Sequence, residues 1–146
     1  AQLFFQQILN KNKRRHIVNI IHLRLENDAL KHWSKTNNVS AQEYNNHMSD
    51  NYITNISKYI HPDDITIVLT GETNNKVIQF LRKNKYQCYT LKKNTPNREL
   101  NAIQDMYLGK MCNNVLIMAE GSTFSHILSI FHSNKDLMRI QIGYKK

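Results

Sequence analysis

The residues best suited to chemistry fall in two short stretches. The first is His22-Leu23-Arg24, followed by Glu26-Asn27-Asp28. Arg24 carries a planar guanidinium that can clamp a phosphate through two hydrogen bonds at once. The ordinary alternative is an ion pair with Glu26, Asp28 or another surface acid. Taken alone, that is the commoner use of such an arginine. The second stretch is Glu120-Gly121-Ser122-Thr123-Phe124-Ser125. Ser122 and Thr123 are good helix N-cap residues, because their hydroxyls accept from free backbone N–H groups. A helix start also favours a phosphate, since those N–H groups and the positive end of the helix dipole converge there. The same residues equally describe a well-capped helix with no ligand.

Both stretches leave apolar runs, and those runs define the elements that must position them. Residues 16–25 are β-branched and nearly continuous, as a strand buried on both faces should be. Val115–Ala119 is a second such run, and Phe124, Ile127, Leu128 and Phe131 follow it at helical spacing. Ile65–Leu69 reads as another buried strand, with Thr70-Gly71-Glu72-Thr73 as its exit loop. Residues 86–91 and 137–142 complete the strands. Helices are expected over 3–12, after the capping box Ser40/Glu43 as far as Ile60, through Val77, Ile78, Phe80 and Leu81, and over 99–111. Residues 28–33 read as a short helical turn, and 35–38 as a polar loop.

Strands alternating with helices argue for an α/β fold: a Rossmann-like parallel sheet of about five strands with helices on both faces. Right-handed crossovers then put every strand exit on one edge. That edge collects His22, Arg24, Thr70, Gly71, Glu72, the basic loop 92–97, Glu120, Ser122 and Thr123, where open α/β sheets bind ligands.

Composition narrows the classes. A length of 146 residues fits one domain, 1–146, with a sizeable core. The start lacks the order of a signal peptide and an initiator Met, which suggests a processed chain or an excised domain. No stretch approaches the roughly 18 apolar residues of a membrane helix. The net charge of +9 favours a phosphorylated or polyanionic partner. An Asn-, Lys- and Ile-rich composition discounts that argument, and a nucleic-acid role rests on charge alone. There is no GxGxxG and no GxxxxGK[ST], which argues against dinucleotide dehydrogenases and P-loop NTPases. The histidines show no metal-ligand spacing. Cys88 and Cys112 form neither a disulfide framework nor a zinc pair, a mild preference for a reduced compartment.

Two separated motifs resemble a known family. The segment from Val18 to Asp28, with His22-Leu23-Arg24 and Asp28, resembles the HxRxGD segment of the α-1,2-type fucosyltransferases, which are related to the O-fucosyltransferases. Asp105 to Cys112, followed by Val115 to Ser125, is similar to that family's D-x-x-x-M-x-x-C…I-x-A-N-S-T-F-S-W-W segment. Between them, Ile67 to Glu72 stands in the place of its F-S-D-D segment. The match covers roughly Ile17 to Ser129.

The resemblance implies one half of a GT-B fold, the donor-binding domain of a metal-independent, inverting glycosyltransferase. The donor would be a nucleotide sugar, GDP-fucose, the acceptor a glycan, and the acceptor-side domain would lie outside this chain. By position, Arg24 would hold the donor diphosphate and assist its departure. Ser122, Thr123 and Ser125 would present hydroxyls to that diphosphate, while Asp105 and the loop from Thr70 to Glu72 would contact guanine or ribose. The other reading on the same fold is a non-catalytic nucleotide- or carbohydrate-binding domain. Three departures stand out. Glu26-Asn27-Asp28 replaces the family's Gly-Asp, Glu120 stands where Asn is usual, and His126-Ile127 replaces its paired Trp.

Overall fold

The computed structural model describes residues 17–71, 74–90, 112–119 and 137–144. In chain order the elements are β1 (Val18–His22), α1 (Asn27–Thr36), α2 (Ala41–Tyr59), β2 (Ile65–Leu69), α3 (Lys76–Lys83), β3 (Cys88–Thr90), β4 (Val115–Ala119) and β5 (Met138–Ile142). The strands form one sheet in the order β3-β2-β1-β4-β5, and every neighbouring pair is parallel. This is the α/β Rossmann-like arrangement that the alternating pattern predicts. Strand order reverses direction between β1 and β4, which makes that junction the topological switch point.

The continuous apolar runs are explained by burial from both sides. Along β1, Val18 and Ile20 join Ile65, Ile67, Leu69, Leu116 and Met118 on one face of the sheet. Ile21 and Leu23 turn the other way and meet Val68, Val115, Ile117 and Ile142. On that second face lie the three described helices. Tyr44, Met48, Tyr52 and Ile56 of α2 and Val77, Ile78 and Leu81 of α3 form the core there, with Leu30 and Trp33 of α1 packed against it. The helices expected over 3–12, over 99–111 and after Ser122 lie outside the described residues, as does the loop 92–97.

Several boundaries differ from expectation. The first strand is shorter than 16–25, because the chain bends away after His22 to start α1. Residues 28–33 are not a mere turn, and 35–38 are not all loop: α1 runs for 10 residues. It ends in a Schellman motif, with Asn38 at φ 56° and bonds from Val39 N–H to the Ser34 carbonyl and from Asn38 N–H to that of Lys35. The last turn of α3 is closed the same way. Lys85 stands at φ 60°, and Tyr86 N–H donates to the Leu81 carbonyl. Tyr86 is consumed by that motif, so β3 begins only at Cys88.

At the N-terminal edge of the sheet, polar side chains fix the register. Asn19 is wholly buried in β1. Its carbonyl oxygen accepts from Asn114 Nδ2 at 3.0 Å and from Val115 N–H at 3.1 Å, and its amide donates to Asp64 at 3.3 Å. Asn113 Oδ1 accepts from Val18 N–H at 2.7 Å. Asn19 thereby ties β1 to the start of β4 and to the turn before β2.

Candidate functional site

At the opposite edge the chain leaves β1 under tight control. The anchor is Tyr52, which α2 places wholly within the core. Its hydroxyl donates to the His22 carbonyl at 2.8 Å. Burial pushes the phenol's pKa well above its usual value, so this group stays a neutral donor. A backbone carbonyl that would otherwise be orphaned where the strand ends is thus satisfied. Leu23 N–H, one residue past the strand, still donates to the Leu69 carbonyl at 3.0 Å.

Arg24 projects from this fixed exit with 30% of its side chain exposed. One terminal nitrogen donates to Glu26 Oε2 at 2.8 Å and the other to Asp28 Oδ2 at 2.9 Å. Burial alone would lower the arginine's pKa. The hydrogen bonds and charges of Glu26 and Asp28 outweigh it and raise the value. The hydrogen bond from Arg24 in turn holds the Asp28 carboxyl below its usual range. One cation faces two carboxylates, so the cluster as it stands is net negative.

Glu26 has a second partner. Its Oε1 accepts from the Gly71 N–H at 2.9 Å, across from the β2 exit. Glu26 is therefore a bridge between the two strand exits, linking the Arg24 guanidinium to the Gly71 backbone. Gly71 leaves room for it: a Cβ there would lie 3.2 Å from Glu26 Oε1. Glu26 also occupies the N-cap position of α1, yet its side chain caps no helix N–H.

Of the residues singled out from the sequence, His22, Arg24, Thr70 and Gly71 are described, and all four stand at this C-terminal edge. His22 and Thr70 are nearly buried there. Glu72, Asp105, Glu120, Ser122, Thr123 and Ser125 lie outside the described residues. Sequence reasoning named Glu26 only as a possible ion-pair partner of Arg24 and missed its bond to Gly71. It placed Tyr52 in the apolar stripe of its helix and missed the hydroxyl's task. Farther along the same edge, Tyr144 beyond β5 stacks on Tyr44 with ring centroids 5.6 Å apart, and the His47 ring lies 4.5 Å from it. Among the described residues, no three His, Cys, Asp or Glu side chains converge as metal ligands. Nor is any described helix long and apolar enough to cross a membrane.

Fold and edge together define the class: a parallel α/β sheet whose central strand delivers a partly exposed arginine to its C-terminal edge, where the neighbouring strand's exit adds a backbone N–H donor. Comparison with protein-family models, with curated proteins and with solved structures returns no match.

Proposed function

We propose that this edge is the donor site of a nucleotide-sugar-binding domain, with GDP-fucose as donor, serving metal-independent inverting transfer to a glycan. The observation that carries the reading is the position of Arg24. It leaves the central strand at the switch point, fixed by Tyr52 and half-exposed toward the edge where such sheets take their ligands. The likeness of the segments 18–28 and 105–125 to the α-1,2-type fucosyltransferases supplies the choice of donor. Departure of GDP develops negative charge, and a guanidinium held in place beforehand stabilises that charge without reorganising. Ser122, Thr123 and Ser125 would add hydroxyl donors to the diphosphate. Glu72, Asp105 and Glu120 would contact the sugar or the base. The acceptor and the domain that holds it would come from outside this chain.

Calorimetric titration of GDP, GDP-fucose and UDP tests the donor reading. GDP compounds are expected to bind, and Arg24→Ala to weaken them by about 1.5–3 kcal/mol, the worth of a charged hydrogen bond. Absence of binding by any of the three at millimolar concentration would sink it.

A second reading, a non-catalytic nucleotide- or carbohydrate-binding domain, is favoured by one observation: Arg24 is already paired with Glu26 and Asp28. Fucose transfer from GDP-fucose to a glycan, with an acceptor-side domain supplied, separates the two. Binding without transfer selects the second.

A further inference from the structure

The Glu26 carboxylate is held as a ligand anion would be held. One oxygen takes a guanidinium N–H from Arg24 at 2.8 Å, and the other takes the Gly71 backbone N–H at 2.9 Å. A charged side-chain donor and a main-chain donor from the adjacent strand exit, converging on two oxygens of one anionic group, make an anion site. We infer that Glu26 is an internal stand-in for the anionic group of the ligand, and that a diphosphate binds by displacing it from Arg24 and Gly71. The inference rests on the donor-site reading for the identity of the ligand, and on geometry alone for the exchange.

Three features support exchange over a purely structural bridge. The first is charge: with Glu26 in place, Arg24 already faces two carboxylates, and an arriving diphosphate meets net repulsion. Displacing Glu26 removes one negative charge from the guanidinium and vacates its hydrogen-bonding positions together. Asp28 keeps hold of Arg24 through the other nitrogen, at 2.9 Å, with a longer 3.5 Å contact to the nitrogen that Glu26 shares, so the guanidinium stays in place during the exchange. The second is freedom of movement. Glu26 retains 22% of its side-chain exposure and makes no cap bond to α1, so it can swing into solvent without opening the core. The third is close approach. Gly71 brings its backbone to a distance that a Cβ would crowd, 3.2 Å from Glu26 Oε1. A main chain bare of side chain suits a bulky phosphate as well as a carboxylate. Ligand entry would thereby uncouple the β1 exit from the β2 exit, the two places that Glu26 now ties together.

The test uses inorganic pyrophosphate and GDP as calorimetric probes on the whole chain. The proteins are wild type, Glu26→Gln, Glu26→Ala and the double variant Arg24→Ala/Glu26→Gln, each checked for folding by circular dichroism. The expected result is that both single variants bind pyrophosphate at least tenfold more tightly than wild type, and that the double variant loses the gain. Unchanged or weaker pyrophosphate binding in folded Glu26→Gln overturns the inference. If Glu26→Gln and Glu26→Ala do not fold, Glu26→Asp serves instead: the shorter side chain should not reach both Arg24 and Gly71, pyrophosphate affinity should rise, and no rise overturns the inference. The two readings fail separately. Tighter pyrophosphate binding with no added affinity for GDP keeps the exchange and removes the nucleotide-sugar reading. GDP binding that depends on Arg24 but not on Glu26 does the reverse.

Discussion

Tyr52 shows how one buried hydroxyl decides where a strand ends and where an arginine starts. It satisfies the His22 carbonyl from within the core. Tyr52→Phe keeps the ring and its packing but orphans the His22 carbonyl. The expected cost is about 1–3 kcal/mol, the penalty of an unsatisfied buried group, measured by urea denaturation. A loss under about 0.5 kcal/mol would mean that water replaces the hydroxyl and that the exit is not held as described. Cys112 gives a second residue-scale outcome, in pH. It is buried, its thiol donates to the Val115 carbonyl at 3.1 Å, and burial pushes its pKa up to about 11. A raised pKa means that the folded state holds this proton more tightly than the unfolded chain does. The stabilisation is complete below the unfolded value, near 9, and is lost as pH rises through about 11. Two units correspond to about 2–3 kcal/mol. Cys112→Ala should therefore lower stability at pH 7 but flatten its fall between roughly pH 9 and 11, where thiols titrate. Equal slopes for the two proteins would remove Cys112 from the account.

The helix ends carry the clearest differences between pattern and structure. Periodicity located α2 and α3 well, because their apolar residues recur at helical spacing and Ser40 with Glu43 marks the start of α2. It shortened α1, whose stop signal is Asn37-Asn38 rather than glycine. Asparagine tolerates the left-handed region well enough to close a helix, but in an Asn-rich chain it carries little information. Lys85 gave no signal at all. A lysine at φ 60° is held there by the Schellman bonds of α3 and by the contact between the Phe80 and Tyr86 rings, 5.8 Å apart. Left-handed geometry costs a residue with a Cβ about 1–2 kcal/mol. Glycine avoids that cost, while its looser unfolded chain gives back about 0.5–1 kcal/mol. Lys85→Gly should therefore stabilise the fold by up to about 1 kcal/mol, read as a raised urea midpoint with an unchanged slope. A lowered midpoint would show that the Lys85 side chain makes a contribution larger than the backbone strain.

At the scale of the molecule, the parallel sheet and the edge that collects its strand exits were legible because burial on both faces writes long apolar runs and because strand–helix alternation admits few topologies. His22, Arg24, Thr70 and Gly71 were accordingly placed at the correct edge before any side-chain geometry was known. The bridge through Glu26 was not legible, since it joins residues 45 apart through one side chain and one backbone N–H. The polar lock at the other edge was equally hidden. Asn19 sits inside Val-Asn-Ile-Ile, and nothing local says that its partners are Asp64, Asn114 and Val115. By propensity, Asn19→Val should improve β1, with a gain of up to about 1 kcal/mol for a β-branched residue in a strand. The structure gives the opposite sign. Valine would leave the Val115 N–H without its acceptor, at about 1–3 kcal/mol for a buried group left unpaired, while the Asp64 carboxylate would lose one donor and keep the His61 N–H. The loss exceeds the gain, and Asn19→Val should destabilise the domain by roughly 1 kcal/mol or more. Hydrogen exchange should show the Val115 amide losing protection beyond the global change, because the bond broken there is local. A neutral or stabilising Asn19→Val would mean that hydrophobic packing, not the asparagine, fixes how β1 meets β4. The register that sets Arg24 at the switch point would then have to be traced to the core alone.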